Sequence, residues 1–138
     1  MEQMSIEEKY NQYKENLQLL EDNLDKYQYL IELGKKGGMP KEYRVDTFLV
    51  PGCISQLWLV PKYENEVINF MSDSDAMITK GVATMVADIF SGATKEQINN
   101  IDIDAFIQGL QLTSILSQNR RNGAYNMFGK VKEYAKQN

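Results

Sequence analysis

Between Pro40 and Met71 the hydrophobic period of this chain shifts from helical to nearer two, and that shift limits the fold more than any other feature. Upstream, Ile6, Tyr10, Tyr13, Leu17, Leu20 and Leu24 recur every three or four residues and set one apolar stripe on a helix. Ser5 with Glu8 is a capping box that starts it. Asp22 with Asp25 restarts a second helix, whose buried positions are Tyr27, Leu30, Ile31 and Leu33 and whose left-handed stop is Gly34. Lys35-Lys36-Gly37-Gly38-Met39-Pro40 then reads as a loop. Three short strands follow at Thr47 to Val50, Ile54 to Val60 and Glu66 to Met71, punctuated by Pro51-Gly52 and by Lys62-Tyr63-Glu64-Asn65. Links this short join antiparallel neighbours, because a parallel pair needs a crossover of about a dozen residues or more.

The helical period returns after Asp73, with Met77, Ile78, Val82, Met85, Val86, Ile89 and Phe90 facing inward. Thr94 with Gln97 forms another capping box, short helical pieces run through Phe106, Ile107, Leu110 and Leu112 to Leu116, and a final helix carries Ala124, Met127, Phe128, Val131 and Tyr134. Helices, then strands, then helices give a segregated α+β fold, a small three-stranded antiparallel sheet packed against helices. At 138 residues and 43% hydrophobic composition, a single domain over residues 1–138 is expected.

The chain has no histidine and one cysteine, Cys53. An imidazole triad, an internal disulfide and a zinc, haem or iron–sulfur site built by this chain alone are thereby excluded. Asp73 to Lys80 lacks the central glycine and bidentate glutamate of a calcium loop. A net charge of −4 argues against a nucleic-acid surface and points to a protein partner. Neither a basic–apolar leader nor a stretch of about 18 apolar residues is present, so no membrane is expected and the chain reads as cytoplasmic. With no coiled-coil seam, a monomer or weak homodimer is expected.

In Val50-Pro51-Gly52-Cys53, Pro pre-sets the second position of a type II turn and Gly accepts the positive φ of the third. The thiol leaves that turn at the head of a strand and is presented with little positional freedom. Free cysteines are also commonly small core residues, and that reading stays open. At an ordinary pKa of about 8.5 only a few per cent is thiolate at neutral pH, so activation falls to dipoles, cations or a partner's site. Ser55 and Gln56 are candidate donors to a thiolate, or plain edge-strand polar residues. Asp73-Ser74-Asp75 is either a helix cap with an acid in the first turn or a partner contact, and Arg120-Arg121-Asn122-Gly123 is a helix start with solvated arginines.

Several separated segments carry a pattern together: Tyr27, Tyr29 to Gly34; Gly52, Cys53, Ser55, Gln56 and Trp58; Asp73, Ser74, Asp75, Ala76, Lys80 and Gly81; and Leu116, Ser117, Arg120, Asn122, Gly123 and Met127. In this order and spacing they resemble the SufE family of bacterial sulfur acceptors, with its CsdE-type relatives. The resemblance implies that Cys53 takes sulfur from a persulfide on a PLP-dependent, SufS-type cysteine desulfurase. It implies that the chain stimulates that enzyme and delivers sulfur to a SufBCD-type cluster-assembly scaffold. The chain is then a carrier rather than an independent enzyme, holding neither cofactor nor metal, with a fold similar to the IscU-type scaffold. Carried over by position, Gly52, Ser55, Gln56, Asp75 and Arg120 lie in or near the docking surface. The sequence departs from the family pattern at Gln118, often proline, and at Ile54, commonly polar. Ile54 and Leu57 are the residues that would shelter a persulfide. Two competing readings are a thiol redox sensor or peroxidase, which needs a low-pKa cysteine and ordinarily a resolving thiol, and an interaction module in which Cys53 only packs.

Overall fold

A computed structural model describes residues 4–137. Helices α1 (Ile6–Gln18) and α2 (Asn23–Lys36) lead, through two short 3₁₀ turns (Lys41–Tyr43 and Asp46–Phe48), to strands β1 (Leu57–Glu64) and β2 (Val67–Ser74). Helix α3 (Met77–Phe90), strand β3 (Ala93–Thr94) and helices α4 (Lys95–Asn99), α5 (Ile103–Gly109), α6 (Leu112–Ile115) and α7 (Gln118–Lys136) follow. The three strands form one antiparallel sheet in the order β1-β2-β3, so the α+β reading holds.

The strand assignment differs from expectation at both ends. Thr47 to Val50 is not a strand: a 3₁₀ turn occupies Asp46–Phe48, and Leu49 makes an isolated bridge to Trp58. The third strand is Ala93–Thr94, on the far side of α3, pairing with Val67 and Ile68. Two residues carry no readable period. β1 starts at Leu57 rather than Ile54 and runs through Lys62 and Tyr63 to Glu64, beyond the core, where its residues become exposed. The hairpin turn is only Asn65 and Glu66, with Asn65 at φ 56°. Pro61 faces Phe70, and counting alternate pairs from the closing pair Glu64 and Val67 makes this a non-hydrogen-bonded position. Its missing N–H therefore points off the sheet edge and costs no ladder bond.

Helix starts behave as the sequence chemistry requires. Both capping boxes form, Ser5 with Glu8 and Thr94 with Gln97, and the Asp22 carboxylate accepts from the Asp25 amide. Gly34 is not a stop: α2 continues to Lys36, and Gly34 lies buried against α3. A Cβ on Gly34 would stand 2.8 Å from the Gly81 amide nitrogen, and one on Gly81 would stand 1.9 Å from the Leu30 carbonyl. Both glycines exist for this close crossing. The α3 stripe is as expected except for Met77, which is exposed, and in the N-terminal stripe Leu24 is exposed beyond the end of α1. Leu17, Leu30, Leu59, Ile68, Met85, Ile89 and Phe128 lie fully inside the core, with Phe90 edge-on to Phe128 at 5.7 Å. The buried Lys9 ammonium donates to the Asp88 and Ser91 carbonyls, both at 2.8 Å, and ties α1 to the negative end of α3.

Candidate functional site

The segment Pro51–Gln56 forms a loop closed at its base by the Val50 N–H, which donates to the Leu57 carbonyl at 2.8 Å. Gly52 has φ 77°, the conformation that the Pro-Gly turn demands. Cys53 is half-buried, and a Cβ built on Gly123 of α7 would meet its Sγ at 3.0 Å, so the sulfur rests directly on the α7 backbone. Burial pushes the Cys53 thiol above its ordinary pKa, which keeps it neutral. The expected shelter of Ile54 and Leu57 is not the one built. Ile54 is 70% exposed, because consecutive residues of the turn point apart, and Leu57 is buried on the core side. Gly123 supplies the cover instead.

Polar groups fix the loop at both ends. At the upstream end the Asn126 Nδ2 donates to the Pro51 carbonyl at 2.8 Å. At the downstream end the Gln56 N–H donates to Asp75 Oδ1 at 3.1 Å, while the Gln56 carbonyl accepts from the Asp75 N–H at 3.3 Å and from Ser74 Oγ at 2.6 Å. Asp75 is thus bonded to the cysteine loop rather than standing in the first turn of α3. Ser55 is half-buried in the same loop. Arg120 lies one turn before Gly123 on α7; its Nη1 donates to Thr79 Oγ1 at 3.2 Å, and it borders a cavity of about 10 Å³ with Leu57, Val82, Leu116, Ala124 and Met127. On the outer side Cys53, Ile54, Asp46 and Lys130 line an open groove. Gln56 and Asp75 are therefore hydrogen-bonded to each other, Gly52, Cys53 and Ser55 lie on the loop that Gln56 ends, and Arg120 stands on the helix behind it.

Two features have no local signature in the sequence. Asp73 is not a cap: it is the penultimate residue of β2, opposite Trp58 and 2% exposed. Its Oδ2 accepts from Arg44 Nη2 at 2.8 Å and Nε at 3.0 Å, Lys80 Nζ stands 3.7 Å from Oδ1, and the Arg44 guanidinium lies 5.1 Å from the Trp58 ring centre. The expected helix cap is not formed by any side chain: Ala76 is the N-cap of α3, and Ser74 Oγ accepts from the Ala76 amide at 3.2 Å in the turn just before the helix. Asn126 is the other. It stands three residues after Gly123 on the same helix face, but its partner Pro51 is 75 residues away in the chain.

A family model described as SufE, Fe–S metabolism associated domain, matches residues 11–135. The chain belongs to the SufE family. An uncharacterized SufE-like protein of Rhizobium etli is 36% identical over 122 residues, covering 85% of this chain and 82% of that protein. The cysteine desulfuration protein SufE of Wigglesworthia glossinidia brevipalpis is 31% identical over 114 residues, covering 81% and 79%. In three dimensions the chain is similar to the solution structure of a hypothetical protein from Thermus thermophilus, with a TM-score of 0.76 at 17% identity and 94% of each chain covered. SufE membership places the protein in iron–sulfur metabolism, and both of these relatives are bacterial. Among the described residues no helix is long and apolar enough to cross a membrane.

Proposed function

We propose that Cys53 is a persulfide-forming sulfur acceptor. Its thiolate attacks the outer sulfur of a persulfide on a PLP-dependent, SufS-type cysteine desulfurase; the donor's S–S bond breaks, the donor cysteine leaves as thiolate, and the new S–S bond lies on Cys53. By clearing the donor the chain stimulates it, and the sulfur passes to a SufBCD-type scaffold. Gly52, Ser55, Gln56, Asp75 and Arg120 form the docking surface around the thiol. Within this reading residues 1–138 act as one cytoplasmic domain, a monomer or weak dimer.

The observation that carries the reading is the setting of the chain's single cysteine: a half-buried thiol on a tight, bonded loop. A raised pKa suits a thiol that reacts only when docked, and it opposes a peroxide sensor, which needs a standing thiolate. The test is intact mass after incubation with a cysteine desulfurase and cysteine without reductant. The wild type is expected to gain sulfur mass that reductant removes, and Cys53→Ser to gain none. No gain on the wild type with several desulfurases abandons the reading.

A further inference from the structure

Pro51, Gly52 and Cys53 all rest on a single turn of α7. Gly123 receives the sulfur, and Asn126, three residues on and therefore on the same face, donates to the Pro51 carbonyl. The amide of Asn126 also lies over Gly52, where a Cβ would stand 2.3 Å from Nδ2. Among the described residues this is the one side-chain hydrogen bond that reaches Pro51 to Ser55, and it is exposed to solvent. The downstream end differs, since Gln56 is held by Ser74 and Asp75 and the loop base by the bond from Val50 to Leu57.

We propose that Asn126 is the latch that keeps Cys53 turned onto α7 in the free protein. Releasing its hydrogen bond lets residues 51–55 swing out while Gln56 and the base stay in place. As a positioning residue, Asn126 acts through the loop and touches no reacting atom. The exposed Ile54, next to the thiol, is then carried by the same segment and is available for burial against whatever opens it. This inference deepens the carrier reading of Cys53, because a carrier must both cover its sulfur and present it.

Asn126→Asp tests it with almost no change of size, since a carboxylate cannot donate to the Pro51 carbonyl. In the free protein, with no desulfurase present, alkylation of Cys53 by iodoacetamide is expected to rise about fivefold, the effect of one neutral hydrogen bond. Asn126→Ala, which places no carboxylate beside the thiol, should accelerate alkylation alike, and in it the midpoint of the rate–pH profile is expected to move down toward that of an ordinary thiol. Either variant should lower thermal melting by only about 3 °C, the cost of that one hydrogen bond. Gly123→Ala, which pushes the sulfur off α7 without touching Asn126, should also accelerate alkylation. Acceleration by Gly123→Ala but wild-type rates in both Asn126 variants would overturn the latch. Sulfur uptake by the wild type, measured separately, decides the carrier reading alone: faster alkylation of Asn126→Asp with no uptake keeps the latch and removes the carrier.

Discussion

At its downstream end the cysteine loop is bonded to the β2–α3 junction by three hydrogen bonds through Gln56, whereas its upstream end meets α7 through one exposed hydrogen bond and one sulfur contact. The junction is itself anchored from below. Asp73 holds Arg44 and Lys80 and accepts from the Ser74 N–H at 2.9 Å, so the residue that bonds Gln56 is fixed by its buried neighbour. Among the described residues nothing comparable braces Asn126 against the loop. The difference separates two tasks: the junction sets where the loop is rooted, and the α7 face sets whether the thiol is covered.

The comparison is broken most forcibly at Asp73. Asp73→Ala leaves two cations without their buried carboxylate and is expected to cost about 3 kcal/mol, the low end for breaking a buried pair, because Arg44 and Lys80 remain part-exposed and relax toward water. Urea unfolding measures it, and a midpoint equal to the wild type's would reduce this cluster to a surface ion pair. Asp75→Ala removes an acceptor at an exposed amide, which water replaces, so its stability cost is about 1 kcal/mol. Its expected effect on sulfur uptake from a desulfurase is larger than on folding. If uptake is unchanged, Asp75 serves the loop and not the partner.

The parts legible in the sequence are those fixed by neighbours in the chain. The Pro51-Gly52 turn, both capping boxes and the apolar stripe of α3 depend on residues within about one helical turn, and each forms. Asp73 escapes such a reading because Asp-Ser-Asp before a helix has the local pattern of a cap, while its partner Arg44 is 29 residues upstream. Gly34 escapes it for the same reason: a glycine near a helix end resembles a stop, and only the crossing with Gly81 reveals the close approach. Of the site, Cys53, Gln56 and Asp75 stand out in the sequence, and the structure adds how Asp75 reaches the loop. Asn126 and the cover from Gly123 arise from α7 packing over a loop far from it in sequence, which no local pattern records.

The smallest expected effect lies on the pH axis and sharpens the upstream half of the comparison. Burial holds the Cys53 thiol above its ordinary pKa, so the folded state binds that proton more tightly than the unfolded chain. The resulting stability is fully present below the unfolded value, about 8.5, and is lost as pH rises from there through the folded pKa. Relative to Cys53→Ser, the wild type should therefore lose stability between neutral pH and the alkaline side of that window, and gain nothing on acidification below it. Asn126→Ala should shrink this difference, because a thiol released from α7, with no new charge beside it, ionises as it does in the unfolded chain. Paired urea titrations across that range measure the difference, and a wild-type curve parallel to that of Cys53→Ser throughout would mean that the sulfur is not held in the folded protein as the α7 contact requires.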